Sequence, residues 1–242
     1  MVKINWEFYT EDTIEIDLTH GNITVMNWEG CPPNLNKIIL KHNQITKMNW
    51  EGCPQSLTII QLNNNKISKM NWEGCPQSLI IIGLDYNNIK KMNWEGCPRG
   101  LNKIYFNGNK IRKLNWKDCP QELNGVYFYR NLITEIKWEE FPRGLTIVDL
   151  SSNPIKKLDW EGSPRGLVTI YLDKVRLPKL NWHGCPPRLI RIHLKYSKIR
   201  EMTWEGCPQS LTMIHINDGD IKNMNLKSIL LEYSPSAMDK DR

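Results

Sequence analysis

The segment Trp50-Glu-Gly-Cys-Pro-Gln-Ser-Leu-Thr-Ile-Ile-Gln-Leu-Asn-Asn-Asn-Lys-Ile-Ser-Lys-Met-Asn71 is one copy of a unit that repeats along most of the chain. All ten tryptophans of the 242 residues lie on a period of 22, at Trp6, Trp28, Trp50, Trp72, Trp94, Trp116, Trp138, Trp160, Trp182 and Trp204. A fixed period of about 20 to 50 residues is typical of solenoids, in which each unit buries its apolar face only against its neighbours. We therefore predict one elongated domain whose function resides on its surface.

The most regular half of the unit reads L-x-x-I-x-L-x-x-N-x-I, and a position number below counts residues after the Trp of the unit. Alternation around positions 10 to 12, from Ile60 in this copy, predicts a short half-buried strand. Position 15, Asn65 in this copy, is Asn in six successive units. This predicts that the side-chain amide satisfies backbone groups in the turn after the strand. Gly52 and Pro54 predict an irregular or briefly 3₁₀ return segment.

This pattern resembles the leucine-rich repeat family, L-x-x-L-x-L-x-x-N-x-L, over about nine tenths of the chain. The lead-in Pro54-Gln-Ser-Leu57 is similar to the short repeats of bacterial effectors and of amoebal and large-virus repeat proteins. The resemblance implies a mainly β solenoid arc, with one short parallel strand per coil on a concave face and an irregular convex side. About ten coils would give a sheet of roughly 45 Å along the solenoid axis.

The ends of the repeat depart from the consensus and suggest the boundaries of a single continuous domain. Residues 1–27 lack Gly-Cys-Pro and are predicted to form an N-terminal capping repeat, followed by the solenoid at 28–224. Residues 225–242 are predicted to form a C-terminal cap and tail. Because Val175, Ser197 and Gly219 replace the position-15 Asn, the last coils are expected to be less regular.

All seven cysteines lie at position 3, which Phe141 and Ser163 occupy in two other units. This slot favours reduced thiols in the core over a disulfide framework or a metal site. Disulfides between adjacent coils remain an alternative, because strands about 4.8 Å apart lie within the span that a disulfide tolerates. The cysteines are Cys31, Cys53, Cys75, Cys97, Cys119, Cys185 and Cys207.

Composition restricts the functional class. A hydrophobic fraction of 40% and a charged fraction of 24% are ordinary for a folded protein. The absence of a signal peptide and of a long apolar run predicts a cytoplasmic protein, or one in a virion or host cell if the source is viral. The net charge is +6, but Lys lies three residues before the Trp in six units and Glu directly after it in eight, and these opposite charges are expected largely to cancel. These mixed rows favour a solvated surface over a nucleic-acid site.

Variable positions 9, 11, 13 and 14 are predicted to form the concave surface. Exposed Tyr and Arg on such a surface are typical of protein-binding sites. The predicted partner-binding residues are Tyr86, Tyr105, Tyr127, Tyr129, Arg130, Asp149, Tyr171, Lys174, His193, Lys195 and Tyr196. Two alternatives for the Tyr row are a sheet-stabilising aromatic ladder and a stacking platform for single-stranded nucleobases.

The histidine pairs His20 with His42 and His193 with His215 lie in adjacent coils. Neither pair has a convincing third ligand, although Asp173 lies near the second pair, so no metal or cofactor is predicted. No phosphate loop, nucleophile elbow or H-E-x-x-H motif is present, which argues against an enzyme. We predict a non-enzymatic protein-interaction module that binds another protein, as a monomer or within a larger assembly. The alternative is a structural component that docks into an assembly such as a virus particle.

Overall fold

Each 22-residue coil contributes one three-residue strand to a single parallel sheet. In the computed structural model, which describes residues 1–139 and 141–217, the strands follow the order of the coils. They are β1 Glu15–Asp17, β2 Lys37–Ile39, β3 Ile59–Gln61, β4 Ile81–Gly83, β5 Lys103–Tyr105, β6 Gly125–Tyr127, β7 Ile147–Asp149, β8 Thr169–Tyr171, β10 Arg191–His193 and β12 Met213–His215, with a separate pair formed by β9 Lys179–Leu180 and β11 Glu201–Met202. The predicted leucine-rich-repeat solenoid is confirmed. The described residues form no helix, so none of them provides a membrane-crossing one.

The strand occupies positions 9 to 11 of each coil, one residue earlier than the sequence predicts. In β3 the middle residue, Ile60, is fully buried, whereas Ile59 and Gln61 are half-buried on the opposite face of the sheet. Leu62 at position 12 is also fully buried, although it lies after the strand. The turn that begins there returns the chain to the core, which explains why an alternation based on positions 10 to 12 misplaced the strand by one residue.

The tryptophan ladder forms the opposite half of the core. Trp50 is 1% exposed, and its indole Nε1 donates a hydrogen bond to the carbonyl oxygen of Asn71 in the next coil at 2.7 Å. Neighbouring rings stack, as between Trp94 and Trp116, whose centroids are 6.0 Å apart. The predicted core role is confirmed for the nine tryptophans before Trp204, which is half-buried.

A ladder of buried asparagines joins each coil to the one before it. Asn65 is 7% exposed, and its Oδ1 accepts a hydrogen bond from the backbone N of Ile45 at 2.9 Å. Its Nδ2 donates to the carbonyl oxygens of Leu40 at 2.8 Å and Leu62 at 3.1 Å. Since the interior offers no water to these backbone groups, the amide provides partners that they would otherwise lack. The predicted structural role of the position-15 Asn is confirmed.

The coils without this Asn continue the sheet in register but satisfy the equivalent backbone groups in another way. Val175 and Ser197 are both fully buried, and the carbonyl oxygen of Ser197 accepts the hydrogen bond from Leu177 N at 3.1 Å that an Asn side chain accepts elsewhere. The same coils contain the β9–β11 pair, which the predicted irregular return segment did not include. Gly219, the C-terminal part of the predicted solenoid and the predicted cap and tail at 225–242 lie outside the described residues.

The seven cysteines are free thiols, as predicted. Cys53, Cys75, Cys97 and Cys119 are buried, and the other three are half-buried. Burial disfavours the thiolate and raises the pKa of Cys75 to about 12. These side chains therefore pack as small apolar groups and are poor nucleophiles.

Candidate binding site on the outward sheet face

The outward sheet face is the face opposite the core, formed by strand positions 9 and 11 together with positions 13 and 14 in the turn that follows. Five of the predicted binding residues occupy position 11 of consecutive coils, and the parallel register places each opposite the next. They are Tyr105, Tyr127, Asp149, Tyr171 and His193. We call this set, extended by His215 at the same position of β12, the position-11 row.

Side chains of the position-11 row form two ring stacks on either side of one carboxylate. The rings of Tyr105 and Tyr127 stack with their centroids 4.6 Å apart. Tyr171 stacks on His193 at 4.1 Å, and His193 stacks on His215 at 4.1 Å. Asp149 lies between the two stacks. His215 was missing from the predicted binding set, although its position in the repeat was sufficient to include it.

The ring of Tyr127 lies along its own strand. A Cβ placed on Gly125 would lie only 3.2 Å from the Tyr127 hydroxyl oxygen, so the phenol covers the side-chain-free position 9 of β6. Partial burial raises the pKa of both Tyr105 and Tyr127. The phenols therefore remain neutral hydrogen-bonding groups at physiological pH.

Four other predicted residues, at position 14, lie in a turn beyond the strand and not on it. Tyr86, Arg130, Lys174 and Tyr196 have φ values of 52°, 57°, 58° and 60°, which is the left-handed region. Tyr86 and Tyr196 are 46% and 59% exposed, and the Lys174 ammonium lies 6.0 Å from the centre of the Tyr196 ring. The occurrence of Asn64 and Gly108 at this position was a signal for the turn, because Asn and Gly tolerate left-handed backbone.

Position 13 forms a second polar ladder, which includes the predicted residues Tyr129 and Lys195. The backbone N of Tyr129 donates to Oδ1 of Asn107 at 2.9 Å, and that of Lys195 donates to Oδ1 of Asp173 at 2.7 Å. In the same way Asn107 N donates to Oδ1 of Asp85 at 2.8 Å. The side chains at this position therefore stabilise the turn as well as border the outward sheet face.

Three carboxylates on this face are poorly hydrated. Burial raises the pKa of Asp85 to about 6, and it also raises the pKa values of Asp149 and Asp173. None of the three belongs to an ion pair within the described part of the chain. Desolvated carboxylates without a cationic partner are typical of binding sites.

A cavity of about 400 Å³ opens beside Tyr105, where β4 carries no position-11 side chain. Gly83 forms its floor, and Ile59 and Ile81 form an apolar wall. The remainder is polar and consists of Lys37, whose ammonium pairs with Glu15 at 3.1 Å, and of Gln61, Asn63, Asp85 and Tyr105. The sequence analysis missed this cavity. It follows from one glycine in a row of larger side chains, and Gly83 was the signal for it.

The cavity is rich in hydrogen-bond acceptors. Asn63 Nδ2 donates to Oδ2 of Asp85 at 3.1 Å, which leaves Asn63 Oδ1 buried without a hydrogen-bond partner. Oε1 of Gln61, another lining residue, is also buried and unpartnered. Because buried acceptors without donors are uncommon in native proteins, this corner of the sheet is suited to a donor-rich group from outside.

The histidine pairs form ring stacks. His20 and His42 stack with centroids 4.6 Å apart, as His193 and His215 do at 4.1 Å. Burial lowers the pKa of His193 to about 4, with a smaller contribution from nearby positive charges. That ring is therefore neutral at physiological pH. No group of three His, Cys, Asp or Glu side chains with the geometry to hold a metal occurs among residues 1–139 and 141–217.

Removing the Asp85 charge should stabilise the fold at neutral pH. The carboxyl pKa is near 3.8 in the unfolded chain and about 6 in the folded one, so the free energy of unfolding falls as pH rises through this window. We expect Asp85→Asn to raise the free energy of unfolding by about 1 kcal/mol near pH 7.5 and by much less near pH 4. The value near pH 7.5 is reduced because solvent partly screens the carboxylate.

Urea unfolding at both pH values measures this difference. Asp12→Asn, which changes an exposed carboxyl, controls for the loss of one negative charge. A stabilisation by Asp85→Asn that is equal at both pH values would contradict the desolvation of the carboxylate.

Comparisons with known proteins identify the architecture. The sequence matches no protein-family model, and no curated protein sequence matches it. Among solved structures, YopM from Yersinia enterocolitica is 18% identical with a TM-score of 0.64, over 86% of this chain and 43% of YopM. The leucine-rich repeat domain of APL1B is 17% identical with a TM-score of 0.70, over 84% of this chain and 61% of that domain.

The LRIM1/APL1C complex also matches, at 16% identity and a TM-score of 0.66, over 89% of this chain and 46% of the matched chain. This chain thus spans less than two thirds of the length of each of these solved chains. At such identities the likeness establishes the fold, and function has to be argued from the surface.

Proposed function

This chain has the leucine-rich-repeat fold, and we propose that it is a non-enzymatic module that binds another protein through the outward sheet face. The observation that carries the proposal is the position-11 row, in which Tyr and His rings are partly exposed around the desolvated Asp149. Rigid aromatic side chains provide large contact areas at a low entropic cost. One structure with this fold is itself a complex of two proteins, LRIM1 and APL1C, which supports a protein partner.

The Gly83 cavity provides this interface with an anchor for one side chain of the partner. Its acceptors call for a group with many donors, and the face of Tyr105 and the wall formed by Ile59 and Ile81 suit a planar cation on an aliphatic stem. An arginine combines these features, since a guanidinium has five donors, no acceptor and a flat face that stacks on aromatic rings. We therefore expect an arginine of the partner to pair with Asp85.

A triple variant tests the interface. We expect Tyr105→Ala, Tyr127→Ala, Tyr171→Ala to weaken partner binding at least tenfold, roughly the effect of losing central aromatic contacts. Affinity capture from the source cells, followed by titration of the captured protein, measures the loss. Circular dichroism verifies the fold, and Phe8→Ala serves as a control because that ring is 82% exposed and lies outside the position-11 row.

Two carboxylate variants separate the anchor from the rest of the interface. Asp85→Asn should weaken partner binding although it stabilises the fold, whereas Asp173→Asn changes a carboxylate at the same repeat position, away from the cavity. Equal binding of the partner by the unaltered protein, the tyrosine triple variant and the two carboxylate variants would contradict a binding role for the outward sheet face. Self-association through the solenoid ends, measured by analytical ultracentrifugation, would then favour the alternative of a structural component in a larger assembly.

A further inference from the structure

The return segments of the coils carry an excess of positive charge on one side of the solenoid. At positions 16, 18 and 19 of the seven coils between residues 66 and 201, thirteen side chains are Lys or Arg, and two, Glu135 and Glu201, are acidic. All thirteen cations are exposed. We call this set the basic flank. It is a different surface from the outward sheet face, which positions 9, 11, 13 and 14 form.

Side chains of the basic flank between residues 90 and 113 line a cavity of about 640 Å³. Its lining includes five cations and no acidic residue: Lys90, Lys91, Lys110, Arg112 and Lys113. None of the five belongs to an ion pair within residues 1–139 and 141–217. Lys110 Nζ donates to Oδ1 of the neutral Asn88 at 2.7 Å. Among the described residues, therefore, no acidic partner relieves the mutual repulsion of these charges.

The acidic row that follows each Trp is interrupted beside this cavity. Glu directly follows six of the first seven tryptophans. The exception is Trp116, which Lys117 follows and which the lining residue Asn115 precedes. The expectation that Lys and Glu rows cancel therefore fails locally, where the repeat replaces an acid by a further cation. A one-signed patch of this kind attracts an anionic partner.

The cavity also contains apolar surface. Leu132 is 39% exposed at its rim, and the buried Met92 contributes to its lining. Lysine stems cover further apolar surface while their ammonium groups reach into solvent. A phosphodiester chain has no apolar group to place here. Its bases would need aromatic rings for stacking, and the basic flank has none at positions 16, 18 and 19 of these coils.

We infer that this cavity on the basic flank is a second binding site, which takes an acidic peptide segment of a partner protein with an apolar side chain inserted against Leu132. Carboxylates of the peptide lie between the ammonium and guanidinium groups of the rim. The Arg112 guanidinium at the rim can donate two parallel hydrogen bonds to one carboxylate. This inference does not depend on the proposed function, because no residue of the outward sheet face takes part.

A defined probe tests the site in the full chain. The probe is a fluorescein-labelled octapeptide with six glutamates around two central leucines, followed by fluorescence anisotropy. We expect saturable binding that weakens when salt is raised from about 50 to 200 mM, since the Debye length shortens across this range. A peptide with glutamines in place of the glutamates should bind at least tenfold more weakly, since it lacks the charges that the rim attracts.

Matched variants distinguish a built site from general attraction to positive charge. The triple variant Lys90→Ala, Arg112→Ala, Lys113→Ala should bind the probe about tenfold more weakly, and Leu132→Ser about threefold more weakly. The control triple variant Lys156→Ala, Lys157→Ala, Arg176→Ala removes three other cations of the basic flank, away from the cavity, and should change affinity by less than about threefold. All the substituted residues are exposed, so the fold is retained.

Equal losses in the two triple variants would overturn the inference, because they would indicate attraction to charge alone. Tighter binding of a single-stranded oligonucleotide of the same net charge, lost in the first triple variant, would replace the peptide by a nucleic acid. Neither result depends on the tyrosine variants, so failure of the proposed function and failure of this inference are distinguishable.

Discussion

Replacing Trp94 by Ala is expected to lower the free energy of unfolding by about 3 to 5 kcal/mol. The indole is 2% exposed, stacks on Trp116 at 6.0 Å and meets Phe106 edge-on at 6.4 Å. Its Nε1 also donates to the carbonyl oxygen of Asn115 at 2.7 Å, in the next coil. The substitution therefore leaves a large cavity in the core and removes a contact between two coils.

Chemical unfolding followed by circular dichroism measures this loss. Phe8→Ala is the control, because it removes an aromatic ring that is 82% exposed, and it should change the free energy of unfolding by less than about 0.5 kcal/mol. Because each coil is stabilised by its neighbours, the variant should also unfold over a broader range of denaturant than the unaltered protein. An unchanged melting curve for Trp94→Ala would refute the core assignment of the ladder.

Asn87→Ala should lower the free energy of unfolding by about 2 to 4 kcal/mol, mostly through loss of hydrogen bonds to buried backbone groups. Oδ1 of Asn87 accepts from Ile67 N at 2.9 Å, and Nδ2 donates to the carbonyl oxygens of Leu62 at 2.9 Å and Leu84 at 3.2 Å. The two carbonyls keep a second asparagine donor, from Asn65 and Asn109. The Ile67 amide loses the acceptor that the side chain provides.

The adjacent residue provides a matched control for this variant. Asn88 has the same side chain, but its Oδ1 accepts a hydrogen bond from the exposed Lys110 ammonium at 2.7 Å and from no other described residue. Asn88→Ala should therefore change the free energy of unfolding by less than about 0.5 kcal/mol. Equal effects of the two substitutions in urea unfolding would indicate that the asparagine ladder adds no stability beyond that of a surface amide.

The repeat determines how much of the fold is predictable. The positions of Trp50, Ile60 and Asn65 hold equivalent residues at fixed spacing along the chain. Trp and Ile are buried because they are apolar, and Asn is buried because it pairs with backbone groups, so the core could be predicted from the pattern. The strand was misplaced by one residue because Leu62 is buried by the turn and not by the strand. The β9–β11 pair was missed because it forms in the coils that lack the position-15 Asn. The consensus of the other coils does not predict the structure of these two.

The candidate site was predictable only in part, for a related reason. The position-11 row follows from register alone, since equivalent residues of parallel coils lie opposite one another. The left-handed turn at Tyr86 and the cavity at Gly83 depend on backbone geometry and on the side chains of neighbouring coils. The basic flank was visible in the sequence, but averaging its charge with the acidic row concealed the local excess around Arg112.

The strand pairs and the Trp and Asn side-chain hydrogen bonds that join one coil to the next span nearly the same number of residues in the described part of the chain. Strand pairing joins Ile60 to Ile82, the indole of Trp50 reaches Asn71, and Asn65 reaches back to Leu40. Gain or loss of one whole unit by recombination therefore leaves each remaining contact with an equivalent partner, whereas gain of half a unit puts the contacts that span the insertion out of register. Lineages of such a protein can change length in steps of one coil, and the spacing between the Gly83 cavity and Asp149 becomes adjustable without redesign of the core.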